Sequence, residues 1–84
     1  MKKVICSQKA PGAIGPYSQA IEANGMVFVS GQLPIDAATG AMAESAEAQA
    51  RQSLENVKHI LEEAGLRMAN IVKTTVFLAD MSLF

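Results

Sequence analysis

Residues 15–34 read GPYSQAIEANGMVFVSGQLP. Two apolar-rich runs flank Asn24-Gly25, a dipeptide that suits a two-residue type I′ turn because both central positions need positive φ. The stretch therefore reads as an antiparallel hairpin, and the turn sets its register. Ala23 faces Met26, Ile21 faces Phe28, Gln19 faces Ser30 and Tyr17 faces Gln32. Side chains alternate along a strand. Tyr17, Gln19, Ile21, Met26, Phe28 and Ser30 are thus expected on one face, with Ala20, Val27 and Val29 on the other. A hairpin needs the Asn-Gly, but it does not need a tyrosine at one end and Ser30-Gly31 at the other. This register makes Tyr17 and Ser30 diagonal neighbours, roughly 7–8 Å apart by sheet geometry.

Outward from the hairpin, residues 2–6 read as a short strand. Pro11, Gly12, Gly15 and Pro16 make the intervening stretch a loop. After the hairpin, Pro34 ends the strand and Thr39-Gly40 suits a turn. A helix is expected from Ser45 to Ala64, with Ser45 as N-cap and Glu47 in the first turn, where the helix dipole favours an acid. Apolar Ala46, Ala50, Leu54, Val57, Leu61 and Ala64 recur at spacings of three and four. Gly65 is a good C′ residue. The run from Asn70 to Asp80, NIVKTTVFLAD, reads as a last and largely buried strand. Strand, helix and strand from residue 26 to 79 fit a right-handed parallel crossover. The expected fold is one α+β domain over residues 1–84, a mixed sheet with one long helix packed on one face. The other sheet face still carries Ile, Phe and Tyr, and a neighbouring subunit is the expected cover.

Composition narrows the functions. Seven basic and eight acidic residues give a net charge of −1 over 84 residues, which leaves no basic excess for nucleic acid. One cysteine and one histidine allow no internal disulfide framework and argue against a structural metal site. MKKVIC begins like a signal peptide, but the apolar run Val4-Ile5-Cys6 is too short for an h-region. No stretch approaches the roughly 18 apolar residues of a membrane span. A soluble cytoplasmic protein is expected.

Few residues suit catalysis on their own. GAIGPYSQ lacks the Gly-Lys-Ser/Thr of a phosphate-binding loop, and Pro16 removes an amide that such a loop would use. His59, the sole imidazole, falls mid-helix beside Glu55, Glu62 and Glu63 and reads as a solvated helix residue. Cys6 reads as a strand residue with only Lys2 and Lys3 to activate it. Glu22 and Asp36 read as solvated acids. Tyr17 and Ser30 are harder to set aside, because a serine in an apolar strand end costs burial unless it finds a partner. Gly31 lets a ligand approach the backbone closely.

APGAIGPYSQAI, VFVSGQLPID with TG after it, QARQSLENVKHILEEAG and NIVKTTVFLADM together resemble the RidA family, also called YjgF or endoribonuclease L-PSP. The resemblance runs in order over essentially the whole chain. It implies a chorismate-mutase-like α+β fold, a cytosolic homotrimer with ligand clefts between subunits, and a hydrolase that uses no metal or cofactor. The implied reaction is enamine/imine deamination of the 2-iminobutanoate/2-iminopropanoate type. Reactive intermediates such as 2-aminoacrylate from pyridoxal-phosphate enzymes would be detoxified to a 2-keto acid and ammonia. The positions that match the family cleft are Tyr17, Ser30, Gly31 and Phe84. The first two would offer polar contacts, Gly31 its backbone and Phe84 an apolar wall. The family pattern continues through a second helix and two more strands, so this chain reads as a C-terminally truncated, incomplete domain. The carboxylate-binding arginine and water-positioning glutamate of the family lie beyond Phe84, and Arg51 and Arg67 match helix and loop positions instead. Little activity is expected of these residues alone. The rival readings are a non-enzymatic module binding small carboxylates or a protein partner, and a ribonuclease; balanced charge argues against the latter.

Overall fold

The computed structural model describes residues 2–78 and 82. Three strands form one antiparallel sheet, β1 (Lys3–Ile5), β2 (Ala20–Ala23) and β3 (Met26–Val29), in the order β1-β2-β3. One long helix follows, α1 (Ala46–Glu63), and then a 3-10 turn at Met68–Asn70. The architecture is α+β, as expected. Among the described residues no helix is long and apolar enough to cross a membrane.

The Asn-Gly turn forms as its chemistry requires. Asn24 takes φ 53° and Gly25 φ 80°, and Ala23↔Met26, Ile21↔Phe28 and Ala20↔Val29 pair in the expected register. An added Cβ at Gly25 meets nothing within 4 Å. Gly25→Ala should therefore cost only backbone strain, about 1–2 kcal/mol for an L-residue held left-handed. A urea midpoint equal to the parent's would contradict this turn type.

β1 joins the far side of β2, with Val4↔Ile21 and Ile5↔Ala20 opposed. The two registers stack Ile5, Ala20 and Val29 in one row across the sheet, and Val4, Ile21 and Phe28 in a row on the opposite face. The first row faces the helix. Ile5, Ala10, Ala20 and Ile60 form the core, with Val27, Val29 and Ala64 packed against it. The second row lies open, with Val4 64% and Phe28 60% exposed.

Both helix ends are set by local chemistry. Ser45 Oγ accepts from Ala48 N at 3.1 Å. At the other end Gly65 N donates to Glu62 O and Leu66 N to Leu61 O, with Gly65 at φ 79°. This is the paired hydrogen-bond pattern that closes a helix on a left-handed glycine. The face turned inward follows the apolar repeat only in its C-terminal half, where Leu61 is buried and Ala64 packs against the core. Ala46, Ala50 and Leu54 are exposed, and the buried positions are Asn56, Ile60 and Leu61. Asn56 suits the buried face because irregular backbone lies against it and needs donors. Asn56 Nδ2 donates to Leu33 O and to Ile35 O, each at 3.0 Å.

The expected last strand is not formed over 71–78, and among the described residues the sheet has no parallel member. Val72, Val76 and Phe77 are 70–92% exposed. Strand preference is realised only through ladder pairing and a face to pack on, and parallel pairing is slightly weaker per residue than antiparallel. The segment has neither here. The remainder of that run, 79–80, lies outside the described residues.

Candidate functional site

Ser30 closes the hairpin at its open end. Its amide donates to Gln19 O at 3.0 Å, carrying the expected Gln19–Ser30 register one step past the strand ends. Its hydroxyl donates to Ser18 O at 2.8 Å and shares Gln19 O at 3.0 Å. The partner that a half-buried serine needs is therefore the opposite strand's backbone. The hydroxyl proton is committed there, which leaves the oxygen lone pairs for any further contact.

Register is lost before Tyr17. Gly15 takes φ 111°, Pro16 has no N–H, and Tyr17 N donates back to Gly15 O at 2.9 Å. The expected Tyr17↔Gln32 pairing does not form, so sheet geometry no longer sets the Tyr17–Ser30 separation. Tyr17 is 49% exposed at the end of an irregular loop. Gly31 is exposed, and the place of a missing Cβ is empty to 4 Å. That opening lets a ligand reach the backbone. Phe84 lies outside the described residues.

Two buried amides, which sequence periodicity passes over, brace the loops around these residues. Gln19 is buried against residues 7–11, and Asn56 holds residues 33–35 to the helix while accepting from Gln52 Nε2 at 2.9 Å. Gln19 has only position as a signal in the sequence, an amide beside an expected loop, and Asn56, in the middle of α1, has none.

The remaining candidates are engaged elsewhere. His59 is not simply solvated: Nδ1 lies 3.1 Å from Lys9 O, which makes it the donor in that contact, and Nε2 lies 3.8 Å from Glu55 Oε2. Asp36 organises the 36–41 turn, its carboxylate accepting from Ala38 N at 2.8 Å and its carbonyl from Gly40 N at 2.7 Å. Glu22 sits opposite Lys3 and Val27 in the register, on the helix side of the sheet. Cys6 is an exposed free thiol just after β1. A groove of about 430 Å³ between the 34–43 loop and α1 is lined by Arg51, Gln52, Glu55 and Asp36. It contains none of the expected site residues.

A three-stranded antiparallel sheet with one helix and an open apolar face defines a small α+β class. The family model described as Endoribonuclease L-PSP matches residues 7–84. The chain belongs to this family, the RidA/YjgF family. It is 57% identical over 84 residues to a Salmonella typhimurium protein named 2-iminobutanoate/2-iminopropanoate deaminase, covering all of this chain and 66% of that protein. A protein of the same name from Escherichia coli is 50% identical, with the same coverage. Among solved structures, E. coli TdcF with bound serine superposes with a TM-score of 0.92 at 50% identity, over 95% of this chain and 63% of that one. YyfA from Yersinia pestis gives 0.94 at 47% identity, over 98% and 66%. The chain thus spans just under two thirds of the length of these relatives.

Proposed function

We propose that this chain supplies one wall of a RidA-type enamine/imine deaminase cleft. The observation that carries the reading is the 57% identity over 84 residues to a protein named as such a deaminase. In the proposed reaction, water adds to the C=N carbon of a 2-imino acid. The nitrogen takes a proton, and the resulting carbinolamine expels ammonia to leave a 2-keto acid. No cofactor is required, because the imine carbon is already electrophilic. Tyr17 would donate from its phenol, Gly31 offers close backbone approach, Ser30 presents oxygen lone pairs, and Phe84 would be the apolar wall.

The proposed biological unit is a cytoplasmic homotrimer whose subunits cover the open sheet face. Support comes from the row Val4–Ile21–Phe28, with Val4 and Phe28 exposed and Ile21 half-buried between them, and from Met26, 47% exposed beside it. Serine bound to TdcF supports a small amino-acid-like ligand.

Rate is a separate matter. A carboxylate substrate wants a bidentate guanidinium, and water addition wants a positioned acid or base. Glu22, Asp36, Glu55 and His59 are placed on the helix side or in loops, as described above. We expect the 84-residue chain to hydrolyse 2-iminopropanoate at least about 10²-fold more slowly than a full-length relative, the lower end of what one positioned acid–base group contributes. The assay is release of pyruvate and ammonia from 2-iminopropanoate generated in situ. A rate matching a full-length relative would remove the roles assigned to the arginine and glutamate. Pyruvate binding without turnover, lost in Tyr17→Phe, would instead favour the binding-module reading.

A further inference from the structure

Gln19 follows Tyr17 by two residues and is 3% exposed. A buried glutamine must satisfy two donors and a carbonyl oxygen, and this one does so on a single stretch of backbone. Oε1 accepts from Ser7 N at 2.6 Å, while Nε2 donates to Pro11 O at 2.7 Å and Ser7 O at 3.2 Å, with Ala10 O at 3.4 Å. Ser7 N–H can only donate, so the amide has one orientation. The main chain of Gln19 is held from the other side, its carbonyl accepting from both Ser30 N and Ser30 Oγ.

The segment between these anchors is a closed loop. Pro11 and Gln19 are joined at its base by the 2.7 Å bond. Residues 12–17 between them are all exposed, Ile14 to 86%. A surface loop whose ends are pinned together is confined mainly by that closure. Within the loop, the hydrogen bond from Tyr17 N to Gly15 O spans only two residues and cannot orient the loop against the sheet; the loop's other tie to the sheet is Ser18 O, which accepts from Ser30 Oγ at 2.8 Å.

We infer that Gln19 is a positioning residue: by clamping Pro11 and Ser7 to the start of β2 it closes the 12–18 loop and holds the Tyr17 ring at the ligand wall. The ligand part of this statement rests on the cleft reading proposed above. If the competent loop is populated only in part, apparent affinity falls by that fraction, so the clamp acts on binding without touching the ligand.

Tyr17 is the sole tyrosine and the chain has no tryptophan, so intrinsic emission reports on this ring alone. The test compares the 84-residue parent with Gln19→Met and Gln19→Glu. Methionine keeps the length without any of the amide's hydrogen bonds. Glutamate keeps the acceptor for Ser7 N but sets an oxygen against the Pro11 carbonyl. Far-UV circular dichroism and thermal melting establish folding. Acrylamide quenching and anisotropy read the ring, and titration with pyruvate reads the wall. The folded variants should show a quenching constant raised about twofold, because a ring half shielded at 49% exposure becomes free. Anisotropy should fall, and pyruvate should bind about tenfold more weakly. Parental quenching and anisotropy in a folded variant would overturn the inference. Loss of the fold in both variants would overturn it too, since Gln19 would then serve the whole domain. A parent that binds no pyruvate defeats the ligand reading, while the optical result still decides whether Gln19 holds Tyr17.

Discussion

Asn56→Ala should lower the unfolding free energy by about 3 kcal/mol, through three lost hydrogen bonds and a cavity. Asn56 is 0% exposed. The truncation leaves the Leu33 and Ile35 carbonyls without their donor and Gln52 Nε2 without its acceptor. For a domain of 60–100 residues the loss corresponds to a melting temperature roughly 12–24 °C lower. It is a large share of the 5–15 kcal/mol that stabilises a typical fold. Asn56→Asp separates the two causes, since it preserves volume and one oxygen but turns a second oxygen toward two carbonyls. Burial and those carbonyls disfavour the ionised carboxylate and raise its folded-state pKa above the unfolded value. The sign follows: the stability associated with the protonated acid is present at low pH and lost as pH rises through the folded pKa. N56D should therefore approach the parent at pH 4 and fall well below it at pH 7, while N56A stays equally destabilised at both. Equal deficits for N56D at both pH values would show that packing, and not donation to the 33–35 loop, is what Asn56 contributes.

The hairpin and the helix limits are legible in the sequence because their causes are local. A two-residue turn with Asn24 and Gly25 leaves one register open, and Ser45 and Gly65 carry their capping chemistry with them. Which side of a helix faces the core is a tertiary fact. Apolar spacing places Leu61 and Ala64 correctly but also selects Ala46, Ala50 and Leu54, where alanine presents little area and Leu54 remains 53% exposed. The buried face is set by backbone that lies against it and by the donors it needs. For the same reason Gln19 and Asn56 read as polar punctuation until the loops around them are seen. The 71–78 run fails differently: β-branched alternation reports a capacity to pair, and pairing requires a partner edge. At the candidate site, Ser30 and Gly31 end their strand where the register places them. Tyr17 is displaced from that register because Gly15 and Pro16 turn the backbone first.

Phe28→Lys should reduce the proposed trimer to single chains while leaving the fold intact. Phe28 projects from the open face, opposite Ile21 and across from Val4 in one row, and it is 60% exposed in the single chain. A substitution at so exposed a position makes few demands on the monomer, and its effect on unfolding should stay within about 0.5 kcal/mol. In an assembly that covers this face the consequences are larger. Burying a phenylalanine is worth about 1.5–3 kcal/mol, and an unpaired ammonium in its place adds a desolvation cost. Together these weaken each interface by at least about two decades. A closed trimer repeats its interface three times, so every subunit meets the substitution on both sides. The parent should therefore show the mass of three chains by light scattering at micromolar concentration, and F28K the mass of one. Val27→Lys is the contrasting variant: Val27 packs against the core on the helix side, so it should lose fold stability first and assembly only as a consequence. An F28K protein that keeps the parental mass, or a parent that is monomeric at every concentration tested, would mean that the open face is not where copies of this chain meet.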